Sequence, residues 1–115
     1  MTIRIGLVGP CGAGKTTLAQ QLRPLGVDVR QIAQEHSYTP DMWQRISKPD
    51  ILIFLDVSYP VTLKRKSFQW SEADYQEQRH RLRHARQHAD FYLNTDPLTP
   101  DEVLSAVLEF LDSIQ

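Results

Sequence analysis

The sequence predicts an α/β fold: a small doubly wound parallel sheet of about four strands with flanking helices. Two observations predict it. Short apolar runs alternate with helix-like segments four times along the chain, which is the pattern of a parallel sheet with right-handed crossovers. Between the first apolar run and the first helical one lies Gly9-Pro10-Cys11-Gly12-Ala13-Gly14-Lys15-Thr16-Thr17, a glycine-rich turn ending in a cation and two hydroxyls.

The elements follow in order. Ile3–Val8 is a short β-branched run that reads as a buried strand. Leu18–Arg23 continues the helix opened by the glycine turn, and Pro24 with Gly26 stops it. Val27–Ile32 alternates apolar and polar residues, as a half-exposed strand at a sheet edge does. Ala33–Pro40 reads as a polar connection. Asp41–Ser47 suits a short helix burying Met42 or Trp43 with Ile46 before Pro49-Asp50 breaks it. Ile51–Val57 is the most hydrophobic stretch, as expected of a central parallel strand covered on both faces. Tyr59–Phe68 reads as a helix. Ser71-Glu72-Ala73-Asp74 fits a capping box, starting a helix that buries Tyr75, Leu82, Ala85 and Ala89. Phe91–Leu93 is a short strand. Thr99-Pro100-Asp101-Glu102 opens a last helix whose apolar face carries Val103, Leu104, Val107, Leu108, Leu111 and Ile114.

The glycine turn carries the chemistry. It fits G-x-x-x-x-G-K-[ST] from Gly9 to Thr16. Glycines let the backbone approach an anion closely, and successive N–H groups then point inward as a phosphate nest. The following helix adds unpaired N–H groups and a positive dipole end. Lys15 supplies a mobile charge for terminal phosphates and Thr16 a hydroxyl for Mg²⁺. Strand, loop and helix stand in the order this mechanism needs. The stretch resembles the Walker A motif of the P-loop NTPase superfamily. That resemblance implies a three-layer sandwich that binds ATP with Mg²⁺, with Gly9, Pro10, Cys11, Gly12, Ala13, Gly14, Lys15, Thr16 and Thr17 around the nucleotide.

Other residues offer roles at the carboxyl ends of the strands, where ligands of such sheets sit. The glycine loop, Glu35, Asp56 and the Asn94–Pro97 loop are expected to converge on one cleft. Asp56 closes a hydrophobic strand as a Walker B acid does, holding Mg²⁺ beside Thr16; equally, it only ends the strand and caps the turn. Glu35, in Gln34-Glu35-His36 with Trp43 nearby, resembles the base of deoxynucleoside kinases and would take a proton from an acceptor hydroxyl; the alternative is a solvated loop acid. His36 reads as loop surface. Thr62–Asp90 holds seven Lys/Arg against four acids. With Lys64-Arg65-Lys66 after the Ile53–Pro60 run, it resembles the lid portion of nucleoside and nucleotide monophosphate kinases. Arg79, Arg83 and Arg86 share one helical face, so Arg79 and Arg83 are candidate catalytic cations, or part of a solvated basic face. The resemblance also puts Asn94, Asp96 and Pro97 against the adenine, where an ordinary Asx- and Pro-rich turn is the other reading. His80, His84 and His88 recur at metal-binding spacing but read as a solvent-facing strip. Cys11 reads as a small spacer, with a redox-sensitive thiol as the alternative.

The chain departs from the kinase pattern in one respect. Nucleotide kinases use five strands with an acidic third strand beside the P-loop strand, and only four are found here. Residues 51–57 are then either that third strand, making Asp56 the Walker B acid, or the fourth, leading into the lid.

Length and composition bound the function. At 115 residues and 41% hydrophobic, the chain suits one domain over 1–115, with a small basic lid-like segment near 62–90. A net charge of −1 argues against a general nucleic-acid binder. No apolar run approaches the roughly 18 residues of a membrane span, and the N-terminus lacks a signal-peptide pattern. A single cysteine fits a reducing cytoplasm. The expectation is a cytoplasmic phosphotransferase moving the γ-phosphoryl group of ATP to a small acceptor such as a nucleoside or nucleotide. So short a frame suggests completion by a homo-oligomer or a partner. A binding or assembly module with little turnover and a simple ATPase are the alternatives. The [NT]-K-x-D guanine signature does not occur, which favours ATP over GTP.

Overall fold

The computed structural model describes residues 3–65 and 69–114. Four strands form one parallel sheet in the order β2-β1-β3-β4: β1 is Arg4–Val8, β2 Asp28–Gln31, β3 Ile51–Asp56 and β4 Phe91–Asn94. β1 pairs with β2 on one side and β3 on the other, and β3 pairs with β4. The apolar run 51–57 is therefore central, and the alternating run 27–32 is an edge, as its pattern implied. The register sets Val8 opposite Phe54 and Asp56 opposite Asn94, so the carboxyl ends line up on one rim.

Helices cover both faces. Alternation along β1 and β3 sends Ile5, Leu7, Ile53 and Leu55 to one face. There they pack on Leu18, Ala19 and Leu22 of α1 (Lys15–Leu22) and on Val103 and Val107 of α6 (Pro100–Ser113). Val8, Leu52 and Phe54 point to the other face. They meet Trp43 of α2 (Met42–Ile46), Leu82, and Ala85 of α5 (Arg83–His88). α3 spans Tyr59–Arg65 and α4 Glu72–Arg81. Both capping boxes form: Ser71 with Asp74 at α4, and Thr99 with Glu102 at α6.

Several details differ from expectation. The helix after Ser71 is interrupted at Leu82, whose φ of −92° and ψ of −2° tighten the last turn. Its N–H reaches both Gln78 and Arg79 carbonyls, and α5 restarts at once. Leu82 is itself buried, so core packing holds the break. In α2, Trp43 is buried while Ile46 is 73% exposed, so only the first of the two packs on the sheet. The polar connection after β2 buries Gln34 and Glu35 in a short 3₁₀ turn. Gln34 makes that burial tolerable: its amide donates to the Thr39 and Arg81 carbonyls and accepts from the Trp43 N–H. Lys66 and Phe68, expected at the end of the helix from Tyr59, lie outside the described residues.

Candidate functional site

The glycine loop joins β1 to α1 at the aligned rim. A Cβ on Gly9 would sit 2.0 Å from the Leu55 carbonyl oxygen, so only glycine lets β1 turn this close to β3. Gly14 caps α1 in the left-handed conformation, with φ 96°. It offers the helix no side-chain acceptor, and the first turn holds no acid. The N-terminal amides of α1 are thus left to an external anion.

A cavity of about 530 Å³ opens over this loop. Pro10–Leu18 and Gln21 form its floor, Gln31 and Glu35 one wall, and Arg65, Thr95, Leu98, Pro100 and Val103 the other. Lys15 folds back into it. Its ammonium donates to the Gly9 carbonyl and lies 2.6 Å from Glu35 Oε2. Both side chains are buried, at 10% and 6% exposure. Gly9 itself lies beneath the cavity as an acceptor for that ammonium. Thr16 stands on the rim with its hydroxyl donating to Gln31 Oε1 at 2.9 Å.

The structure brings Lys15, Thr16 and Glu35 together and leaves other candidates apart. Asp56 sits at the rim, but strand alternation turns its carboxylate toward the α4 side, away from α1. Oδ1 accepts from the Val57 N–H at 2.9 Å and from Arg79 Nη1 at 2.9 Å, and Oδ2 accepts from the Tyr92 hydroxyl. Burial acts to lower the Arg79 pKa, but the Asp56 carboxylate and the Tyr75 hydroxyl together raise it above its usual value. Burial, then the bond to Asp56, raises the Tyr92 phenol above its usual 10.0. This closed cluster commits Arg79 to Asp56. Arg83 is exposed, donating to the His80 carbonyl at 2.7 Å, and Arg86 lies over the Tyr92 ring. The three arginines do share a face, with Phe54 and Gln87, around a separate hollow of about 220 Å³.

In the loop after β4, Thr95 and Leu98 line the cavity. Asn94 and Asp96 instead build the turn: Asn94 Oδ1 accepts the Asp96 N–H, and Asp96 Oδ1 accepts the Ser58 N–H. Pro97 is exposed. The histidine strip splits: His84 Nδ1 accepts from the Trp43 indole at 3.1 Å, and the His84 and His88 rings lie 4.3 Å apart.

Three contributors were not singled out from the sequence. Arg65 donates to the Gly12 carbonyl and the Thr95 hydroxyl, so the cation over the loop comes from α3. Its place in the basic Lys64-Arg65-Lys66 run was the available signal. Gln31 ends the edge strand beside Thr16. Gln78 clamps Cys11, accepting its N–H at 3.0 Å and donating to its Sγ at 3.2 Å. Nothing local in sequence marks a glutamine for that contact 67 residues away.

A family model described as an AAA domain matches residues 5–89. The structure is similar to that of shikimate kinase from Acinetobacter baumannii in complex with shikimate, with a TM-score of 0.65. The two share 17% identity over 100% of this chain and 96% of that one. At that identity the likeness is one of fold. Among curated proteins, none matches the sequence.

Proposed function

Because the chain belongs to the AAA domain family, we propose that it is an ATP-dependent phosphotransferase acting on a small hydroxyl-bearing acceptor, such as a nucleoside or nucleotide. The observation that carries this reading is the Lys15–Glu35 pair, 2.6 Å apart inside the glycine-loop cavity. A phosphate cation and a candidate proton acceptor there share one buried contact. An incoming triphosphate takes Lys15 from the Gly9 carbonyl and from Glu35. The released carboxylate is then free to accept the proton of an acceptor hydroxyl. Arg65, reaching over Gly12, is placed to steady charge on the transferred group, a role for which Arg79 is unsuited while Asp56 holds it. The kinase-like fold supports the reading, and so does the small-molecule ligand of its structural neighbour.

Mg²⁺, when bound, would supply positive charge to neutralise the phosphates. The Thr16 hydroxyl at the cavity rim fits such an ion, and the nearby Glu35 carboxylate suits its water shell. Asp56 does not fit, since both of its oxygens are engaged on the other face. That agrees better with residues 51–57 as the strand leading into the lid than with an acidic Walker B strand. The same reading makes the chain one nucleotide-binding domain over 1–115, working in the cytoplasm, with its basic lid near 62–90 and its site completed by a homo-oligomer or a partner. Among the described residues no helix is long and apolar enough to cross a membrane.

The test is a phosphoryl-acceptor screen with γ-labelled ATP and Mg²⁺. Label appearing in an acceptor, and lost in Lys15→Ala, is the expected result. Label released only to water across the screen, or ATP affinity unchanged in Lys15→Ala, overturns it.

A further inference from the structure

We propose that Cys11, Glu35 and His36 form a transition-metal site beside the glycine-loop cavity, with donors suited to a Zn²⁺-class divalent ion. This site shares the Glu35 carboxylate with the proposed phosphotransfer site but adds a sulfur and a nitrogen donor that the Thr16 position lacks. A thiol sulfur, an imidazole nitrogen and a carboxylate oxygen lie within 4.8 Å of one another. Among the described residues, no other group of three such side chains comes together in this way. Sulfur and imidazole donors suit zinc, whereas Mg²⁺ takes oxygen ligands.

The spacing is close to what the ion needs. Cys11 Sγ and His36 Nε2 are 3.9 Å apart, and His36 Nε2 and Glu35 Oε2 are 4.0 Å apart. Tetrahedral zinc, with bonds of about 2.3 Å to sulfur and about 2.0 Å to nitrogen, holds those two donors roughly 3.5 Å apart. A contraction of about half an ångström brings sulfur and nitrogen to that spacing, and the carboxylate, within 4.8 Å of both, moves further to complete the shell. The His36 side chain is 61% exposed, so its ring is free to make that movement.

A second observation points to a missing partner. Glu35 is only 5% exposed. Lys15 occupies its Oε2, while its buried Oε1 has no hydrogen-bond partner. A buried carboxylate oxygen left bare is costly; a cation held by this carboxylate would satisfy Oε1 while sharing Oε2 with Lys15. Outside the donors, Gln78 fixes the sulfur: its amide donates to Cys11 Sγ and accepts the Cys11 N–H. Such outer contacts orient metal ligands.

The charges suggest what the remaining coordination position takes. A thiolate, a carboxylate, the Lys15 ammonium and a divalent ion together leave the cluster net positive. Cys11 and Glu35 both line the cavity, so an anionic oxygen such as a phosphate's suits the open position.

Cobalt(II) chloride titrated into the full chain without nucleotide tests the site, independently of any phosphotransfer. Cys11 is the chain's single cysteine, so thiolate-to-cobalt absorption in the near ultraviolet reports on it alone. The expected result is a saturable band that zinc displaces, that Cys11→Ser abolishes, and whose midpoint His36→Ala shifts by at least about tenfold. The double variant His84→Ala/His88→Ala, which removes the other close histidine pair, leaves the band in place. No thiolate band in the wild type overturns the proposal, as does a band whose midpoint His36→Ala does not move. His36 is exposed, so that variant folds and the test remains decisive.

Discussion

Replacing Lys15 by Met leaves the Glu35 carboxylate buried without its cation. The pair is 2.6 Å apart, with side chains 10% and 6% exposed. Coulomb's law at an effective dielectric near 20 gives an attraction of about 6 kcal/mol, much of it offset by desolvation of the two ions. Removing one partner of such a pair costs about 3–5 kcal/mol, because the other charge stays buried. Lys15→Met is therefore expected to destabilise the fold by about that much. Lys15→Met/Glu35→Gln loses less than the sum of its single variants, with a coupling of about 1–3 kcal/mol. Urea unfolding followed by circular dichroism, at constant m, measures all four corners. Additive single effects, within about 0.5 kcal/mol, would refute the claim that the two side chains act as one buried unit. The same variants separate binding from chemistry. Glu35→Gln frees Lys15, so ATP binds at least as tightly as in the wild type, while acceptor phosphorylation falls about 10²–10⁴-fold. Undiminished transfer in that variant removes Glu35 as proton acceptor.

Gly9→Ala places a Cβ 2.0 Å from the Leu55 carbonyl oxygen, so a stability loss of about 3 kcal/mol or more is expected, read as a lower urea midpoint. A wild-type midpoint would mean that β1 and β3 separate there at little cost. Arg65→Gln and Arg79→Gln should diverge. The first lowers phosphoryl transfer with little change in stability. The second destabilises the fold by stripping Asp56, with acceptor kinetics tracking the folded fraction; the reverse pattern would restore Arg79 to the site. The Tyr92 phenol is raised above 10.0 in the fold, so its contribution is full below about pH 10 and lost as pH climbs through the folded value. Tyr92→Phe should therefore flatten the alkaline fall in stability, and superimposable alkaline limbs would contradict the Asp56 bond.

Local signals carried most of the fold. The glycine loop, both capping boxes and the 51–57 apolar run each announce themselves within a few residues, and the structure has all of them in place. Site geometry depended on distant partners. Asp56 ends its strand as expected, but its meaning changes with Arg79 and Tyr92, 23 and 36 residues away. The direction of its side chain followed from strand parity; which helix met it did not. Glu35 reads as part of a polar connection because its neighbours are polar. Its burial comes from Gln34 bonding across to Arg81 and from Lys15 folding back. Arg65 and Thr95 sat within segments already noticed, but the side chains expected to act were Arg79 and Arg83 on a later helix and, around Thr95, its neighbours Asn94, Asp96 and Pro97. A loop of alternating polar residues does not say which of them turns inward.

The Gln78 clamp makes the glycine loop and α4 one mechanical body. With Gln78 holding both the N–H and the sulfur of Cys11, the loop cannot rise toward a phosphate at that position without pulling α4 or breaking two bonds. α4 in turn grips Asp56 through Arg79 and the 3₁₀ turn before α2 through Arg81. A ligand that displaced the loop would therefore strain the contacts from α4 to Asp56, whose other oxygen is held by the half-exposed Tyr92.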